Sequence, residues 1–133
     1  MTPVLLDTHI WYRGRHDPKR LSRPQARVLS RAEGHPAAVC VSAISLWELA
    51  LLATHGRIDV AGSLETWLDD LASDGSVEVL PVTPRIAAAG AQAEPGLHSD
   101  PCDRIIVATA RAHGLKLLTA DQRIREWGGV NVI

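Results

Sequence analysis

Apolar residues follow two different spacings along this chain. Short runs of aliphatic and β-branched residues alternate with longer stretches in which apolar side chains recur every three or four positions. The short runs predict strands near residues 3–7, 38–42, 76–80, 115–119 and 130–133. The longer stretches predict helices near residues 24–33, 43–55, 63–73, 84–93, 101–113 and 121–127. Because residues 94–101 are rich in Pro and Gly, we interpret them as a loop.

The order of these elements predicts the fold class. Strands that alternate with helices pair in parallel, since a helix is needed to return the chain to the same end of the sheet. We therefore expect an α/β three-layer sandwich with a central parallel sheet of four to five strands. With 133 residues and no repeat or linker, the chain is predicted to form a single domain over residues 1–133.

Composition excludes several classes of protein. Hydrophobic residues make up 46% of the chain, which is typical of a globular protein. No run approaches the roughly 20 apolar residues of a membrane span. The N-terminus lacks the features of a secretory signal, and Cys40 and Cys102 lie in apolar runs as free thiols would. The six histidines lack zinc-site spacing. We therefore expect a cytoplasmic location.

Carboxylates follow the predicted strands. Asp7 ends the first strand, Asp121 follows the fourth, and Asp103 opens the helix that leads into the fourth. Sites in open α/β sheets form outside the carboxyl ends of the strands, so these acids should converge there. Each also has a simpler explanation: Asp7 and Asp121 could cap the segments that follow them, and Asp103 could favour a helix N-terminus through the helix dipole.

Glu48 is the fourth acid of this group. Ser42 is the predicted N-cap of its helix, and apolar residues surround Glu48 on nearly every side. Because Glu48 lies in the second turn after a strand, it could reach the same edge as Asp7. The alternative is that Ser45, Glu48 and His55 form a solvated stripe.

Asp100 is predicted to differ from Asp103. Pro101 suits the first helical position, which makes Asp100 the N-cap and leaves Asp103 free to bind a metal ion. Carboxylates gathered at one edge repel one another unless a cation lies among them. A site made of oxygen ligands suits Mg²⁺ or Mn²⁺, and such sites carry out phosphoryl transfer.

Four motifs add a family resemblance. They read LLDTHIWYR, SAISLWELALLATHGRI, HSDPCDRIIVATA and LLTADQRI, and they lie in order between Val4 and Ile133. In order and spacing they resemble the PIN-domain ribonucleases, and in particular the VapC toxins of bacterial toxin–antitoxin pairs. The resemblance implies that Asp7, Glu48 and Asp103 are the catalytic, metal-binding acids, and that Asp121 is a fourth acid of the site with Thr119 as a hydroxyl residue beside it. Cys102 departs from the pattern, because relatives often carry Phe there.

The resemblance also implies an activity and partners. We expect Mg²⁺-dependent (or Mn²⁺-dependent) endonucleolytic cleavage of RNA that leaves a 5′-phosphate and a 3′-hydroxyl. The implied partners are the RNA substrate, a VapB-type antitoxin that blocks the site, and a second toxin molecule in a homodimer.

Charge is spread unevenly. The chain has a net charge of −1, but residues 13–31 carry seven basic residues and one acidic residue, which leaves −7 for the rest. Within that basic segment Arg23, Arg27 and Arg31 recur every four residues and form one stripe on a helix. This stripe is either a solvated face or a track for RNA phosphates.

Other functions fit less well. A receiver-type signalling domain needs adjacent acids after the first strand, and a haloacid-dehalogenase-type phosphatase needs Asp-x-Asp, but His9 stands where the second Asp would be. A catalytically idle PIN-like module that binds a partner is the remaining alternative, and the intact acids argue against it.

Overall fold

The computed structural model describes residues 2–35, 37–92 and 95–133. Its strands are β1 (Val4–Leu6), β2 (Val39–Ser42), β3 (Glu78–Leu80) and β4 (Lys116–Leu118). Its α-helices are α1 (Thr8–His16), α2 (Arg23–Ala32), α3 (Ala43–Thr54), α4 (Leu64–Ser73), α5 (Pro84–Ala91), α6 (Pro101–His113) and α7 (Gln122–Trp127). A short 3-10 helix covers Pro18–Arg20.

The sheet has the strand order β3-β2-β1-β4, and every pair is parallel. Leu5 lies beside Cys40 on one side and Leu117 on the other. From β1 the chain adds β2 and β3 on one side, and it then places β4 on the other side of β1. The strand order therefore reverses between β1 and β4. In open α/β sheets this reversal opens a crevice at the carboxyl ends of the two strands.

The two faces of the sheet bury two separate apolar clusters. Val4, Leu6 and Val41 belong to one cluster, and Leu5, Cys40 and Leu117 belong to the other, as the alternation of side chains along a strand requires. Ile10 and Trp11 of α1 cover the first face, whereas Ile106 and Val107 of α6 cover the second. Helices on both faces make the predicted three-layer α/β sandwich, so the predicted fold class is confirmed.

The sequence prediction missed α1. Its segment THIWYRGRH contains Gly14 and β-branched residues, and its apolar positions are too few to display a helical period. The helix begins because Asp7 caps it, with an Asp7 side-chain oxygen 2.9 Å from the Thr8 backbone N–H. Packing of Ile10 and Trp11 on the sheet then stabilises it, since both are almost fully buried.

The predicted fifth strand at residues 130–133 is wrong. Within the described residues this segment forms a single parallel bridge, between Val132 and Leu117, with three backbone hydrogen bonds to Leu117 and Thr119, and not a regular strand. Gly128, at a positive φ of 74°, ends α7 just before it, and the segment then runs along the outer side of β4. The other predicted strands and helices begin and end within two residues of the observed ones. Residue 93, the last of the helix predicted at 84–93, and residue 94, the first of the loop predicted at 94–101, lie outside the described residues.

Candidate acidic active site

Asp7 lies at the carboxyl end of β1, inside the crevice between β1 and β4. Asp7 is 1% exposed, and both side-chain oxygens accept hydrogen bonds: Oδ1 from the Thr8 backbone N–H at 2.9 Å and Oδ2 from the Thr119 hydroxyl at 2.6 Å. The backbone N–H of Asp7 donates to the Leu118 carbonyl at 2.9 Å. A buried carboxylate held by two donors in this way has a fixed orientation, with further lone pairs left for a cation.

Thr119 follows β4 and connects Asp7 to the next acid. Its Oγ1 donates to Asp7 and accepts from the backbone N–H of Asp121 at 3.0 Å. Its carbonyl accepts from Gln25 Nε2 and from Arg125 Nη1, both at 3.1 Å. The structure therefore places Thr119 beside the acids, as the resemblance implied, and adds Gln25 as a buried support that the sequence did not indicate.

Asp100 and Asp103 open α6. Asp100 is the N-cap, with Oδ1 accepting from the Asp103 backbone N–H at 3.0 Å, and Pro101 occupies the first turn. The predicted cap is thus confirmed. Asp103 is 8% exposed, whereas Asp100 is exposed to solvent. The cap also serves the site, because it fixes the start of the helix that carries Asp103.

Glu48 reaches the same crevice from the second turn of α3, which Ser42 caps as predicted. Ser45 is completely buried and its hydroxyl lies 2.8 Å from that of Thr8. The solvated-stripe alternative is therefore wrong. Burial raises the pKa of Glu48, a side-chain hydrogen bond from Thr8 works against this, and the charges of Asp7 and Asp100 raise the pKa further. Glu48 is half-buried, and it interacts electrostatically with acids from two other segments.

The electrostatics of Asp103 reveal how crowded the cluster is. Burial, followed by the charges of Asp7, Asp100, Glu48 and Asp121 in that order, raises its pKa to about 8. In the metal-free protein this carboxyl therefore holds a proton up to about neutral pH. A cation placed among the acids would release that proton.

Asp121 behaves differently from Asp103. Its Oδ1 caps α7 by accepting from the backbone N–H groups of Arg123 at 2.8 Å and Ile124 at 3.3 Å. Burial by itself would raise its pKa, but these two bonds, together with His98 and Arg123, hold the pKa below its usual value. Asp121 therefore does cap α7 through Oδ1, as the alternative interpretation held, while its Oδ2 faces His98 and the acidic cluster.

Two histidines that the sequence analysis did not select lie against these acids. His98 Nε2 is 3.2 Å from Asp103 Oδ2 and 3.6 Å from Asp121 Oδ2, and His9 Nδ1 is 3.6 Å from Asp7 Oδ2. Burial lowers the pKa of His9, and the charge of Asp7 partly offsets this. Their positions in the sequence could have indicated them, because each histidine stands two residues from a predicted site acid, Asp7 or Asp100.

The donor atoms suit a hard divalent cation. Ligand atoms of Glu48, Asp100 and Cys102 lie within 4.8 Å of one another, and so do those of His98, Asp103 and Asp121. Burial, followed by the neighbouring carboxylates, raises the pKa of the Cys102 thiol to about 12. Because a protonated thiol is a poor ligand, the donors that remain are mainly carboxylate oxygens, which Mg²⁺ and Mn²⁺ prefer. The residues therefore fit such an ion.

The arginine stripe lies on the outer face of α2. Arg23, Arg27 and Arg31 are all exposed, while Leu21 and Val28 pack towards the core. Gln25 of the same helix bonds to the Thr119 carbonyl, so the beginning of α2 lies close to the acidic crevice. The stripe therefore starts near the site and extends away from it along the helix.

Residues 4–130 match the PIN domain family. The chain belongs to the PIN-domain family. It is 39% identical to Ribonuclease VapC22 of Mycobacterium tuberculosis (strain ATCC 25618 / H37Rv) over 125 residues, which cover 94% of this chain and 92% of that protein. The recognised resemblance is confirmed, and the receiver and phosphatase alternatives are excluded. The assignment of all 133 residues to one nuclease domain stays a prediction.

Solved structures share the PIN-domain fold. A chain in the crystal structure of VapBC2 from Rickettsia felis, bound to a DNA fragment from their promoter, has a TM-score of 0.71 at 15% identity, covering 99% of this chain and 98% of that one. A chain in a toxin–antitoxin complex from Klebsiella pneumoniae has a TM-score of 0.61 at 21% identity, covering 98% of this chain and 95% of that one. No helix among the described residues of this PIN-domain protein is long and apolar enough to cross a membrane.

A divalent ion should stabilise this PIN domain, and more at pH 8 than at pH 6. The pKa of Asp103 is higher in the folded protein than in the unfolded chain. In the metal-free protein the protonated carboxyl therefore contributes stability that is fully present below the unfolded-state pKa. This contribution is lost as the pH rises through about 8. A cation has to displace that proton, so its apparent affinity should fall on the order of tenfold per pH unit below 8. Melting curves with and without millimolar Mn²⁺ at the two pH values measure the effect.

The control for this experiment is Asp103→Asn. This variant should lose most of the stabilisation by Mn²⁺ at both pH values, because stabilisation by mass action requires binding to the folded state. Equal melting temperatures with and without Mn²⁺ at pH 8 in the wild type would contradict a site that is formed before the ion binds.

Proposed function

We propose that this protein is a Mg²⁺- or Mn²⁺-dependent endoribonuclease and the toxin of a type II toxin–antitoxin pair. The observation that carries the proposal is the convergence of Asp7, Glu48 and Asp103 from β1, α3 and α6, with the pKa of Asp103 raised to about 8 by burial and by its neighbours. The relative that is 39% identical is named a ribonuclease, which supports RNA as the substrate.

In this proposal Asp7, Glu48 and Asp103 bind the ion. A bound divalent ion would supply Lewis-acid stabilisation of phosphate charge and an activated water. The chain's own contribution is orientation: the Thr119 hydroxyl and the Thr8 backbone N–H hold Asp7, and the Asp100 cap holds the start of α6. Thr119 and Asp100 are thus supporting residues, and Asp121 is a fourth acid of the site whose Oδ1 is committed to capping α7. Fixed carboxylates align the reactants without reorganising during the reaction.

Substrate RNA would approach along the basic side of the protein. Arg23, Arg27 and Arg31 are exposed on one helix whose beginning lies close to the crevice, so they provide cationic contacts for the phosphates on one side of the cleaved bond. Aromatic residues are only 4% of the chain, which favours recognition of backbone and shape over base stacking. We assign the three arginines this RNA-binding role as part of the proposal.

Incubation of the purified protein with total RNA tests the activity directly. We expect Mg²⁺ or Mn²⁺ to support cleavage and EDTA to abolish it, with restoration when excess metal is added back. A catalytically idle binding module would retard RNA in a gel without shortening it under either condition. Intact RNA after incubation with Mn²⁺ would therefore favour the idle module over the enzyme.

The proposed partner is a VapB-type antitoxin, which the VapBC and toxin–antitoxin complexes of similar fold support. We expect the antitoxin to insert an Arg or Lys beside Asp7 or Asp103, because a basic side chain can replace the charge of the cation and form charge-assisted hydrogen bonds. A crystal structure of the complex checks this. A crevice covered without any basic side chain near these two acids would refute the expectation.

Homodimer formation and a cytoplasmic location belong to the same proposal. Trp47 on α3 is 56% exposed, and large aromatic residues on a surface are enriched at protein interfaces. Both statements follow from the toxin assignment and stay predictions.

A further inference from the structure

The two histidines beside the acids have fixed tautomers. The backbone N–H of Asp100 donates to His98 Nδ1 at 3.3 Å, and the backbone N–H of Ala120 donates to His9 Nε2 at 3.0 Å. A nitrogen that accepts a hydrogen bond must offer a lone pair, so each ring carries its proton on the other nitrogen. In the neutral rings these hydrogen bonds place the proton on Nε2 of His98 and on Nδ1 of His9.

In both rings the protonated nitrogen faces the acidic cluster. His98 Nε2 is 3.2 Å from Asp103 Oδ2 and 3.6 Å from Asp121 Oδ2, and His9 Nδ1 is 3.6 Å from Asp7 Oδ2. His98 Nε2 is buried from solvent, and in the part of the chain that the structure describes it has no partner with hydrogen-bond geometry. A buried N–H group is costly to leave without an acceptor, and the acceptors within reach are the two carboxylates.

The arrangement decides between two roles for His98. As a metal ligand it would coordinate through Nε2, which would then need a lone pair, and the proton would have to move to Nδ1. A proton on Nδ1 would point at the Asp100 backbone N–H, so two donors would face each other at the position that the cap of α6 fixes. The donor role avoids this conflict.

We propose that His98 is a positioning residue whose Nε2–H donates to Asp103 Oδ2, lies close to Asp121 Oδ2 and leaves Asp103 Oδ1 to the cation, and that His9 Nδ1–H, 3.6 Å from Asp7 Oδ2, orients Asp7 by electrostatic attraction. Asp121 Oδ1 already accepts two backbone N–H groups of α7. Its Oδ2 lies 3.6 Å from His98 Nε2, so the two oxygens of Asp121 face different groups. This inference rests on the cation site of the proposed function.

Histidine tautomers can be read by NMR on the wild-type protein, from the ¹⁵N shifts of the ring nitrogens at pH 8. We expect the Nε2–H tautomer for His98 and the Nδ1–H tautomer for His9, both without metal and with saturating Mg²⁺. Signals are assigned with the variants described next. A shift of His98 to the Nδ1–H form when Mg²⁺ is added would make it a ligand and overturn the proposal.

Amide side chains separate the two nitrogens of each ring. Glutamine can place an N–H close to the position of Nε2, whereas asparagine reaches only as far as Nδ1. His98→Gln should therefore retain Mn²⁺ affinity within about threefold, and His98→Asn should lose roughly tenfold or more, as is usual when the partner of a metal ligand is removed. At His9 the order should be reversed, with Asn tolerated and Gln impaired. Mn²⁺ binding is followed by electron paramagnetic resonance.

Melting temperatures of the four variants show whether any change in Mn²⁺ affinity reflects unfolding. If Gln and Asn at position 98 bind Mn²⁺ alike, the Nε2–H has no positioning role and the proposal is wrong. RNA cleavage by the wild type is measured in the same buffers. A wild type that binds Mn²⁺ but leaves RNA intact would refute the ribonuclease and leave the role of the histidines standing, whereas a wild type that does not bind Mn²⁺ would refute both.

Discussion

Asp7→Asn should lower the rate of RNA cleavage at least about a hundredfold, which is the loss typical of removing one preorganised catalytic group. The substitution removes the negative charge at the bottom of the crevice while the amide can still pair with the Thr8 N–H and the Thr119 hydroxyl. The fold should therefore survive. Cleavage rates of the purified variant with saturating Mn²⁺ measure the effect. Expression of the wild type should arrest growth, and expression of the variant should not.

The matched control for Asp7→Asn is Asp70→Asn, the same chemical change at an exposed position of α4. It should cleave RNA at the wild-type rate. Full activity in correctly folded Asp7→Asn protein would remove Asp7 from the metal site and with it the basis of the proposed function.

Asp103→Asn and Asp100→Asn should separate catalysis from capping. Asp103→Asn should abolish cleavage and keep the fold, and in the metal-free protein at pH 8 it should raise the melting temperature, because a buried charge among like charges is removed. Asp100→Asn should keep most activity, since Asn caps a helix about as well as Asp. Asp100→Ala should cost about 1 kcal/mol of stability before it affects chemistry. Cleavage assays paired with melting curves measure both properties.

Asp100 lies close enough to other ligand atoms that its role as a metal ligand needs its own test. Asp100 caps α6 with Oδ1, and its carboxylate also lies in a group with Glu48 and Cys102 whose ligand atoms are within 4.8 Å of one another. If Asp100→Asn proves as inactive as Asp103→Asn while melting like the wild type, Asp100 is a ligand of the ion. Loss of stability in Asp100→Asn would instead mean that its charge, and not its cap, is needed.

Local sequence was enough to predict a large part of this fold. The pairs Asp100–Pro101 and Ser42–Ala43 predicted helix starts that the structure confirms, because an N-cap satisfies backbone N–H groups within three residues of itself. The strands β1 to β4 were predicted for a similar reason, since buried strands in a parallel sheet read as short apolar runs. Where the stabilising contacts were distant, prediction failed: α1 depends on packing against the sheet, and residues 130–133 depend on the edge of β4.

The sequence by itself determined the class of fold, the family, and which acids end the strands or open the helices that lead to the crevice. These properties depend on residue type and on spacing along the chain. Only the tertiary structure decided what surrounds the acids. His98 lies 23 positions before Asp121 in the sequence, and Gln25 bonds to Thr119 across 94 positions. Contacts of this kind arise when separate segments fold onto one sheet edge. Burial and neighbouring charges there raise the pKa of Asp103, and backbone N–H groups there donate to both histidines.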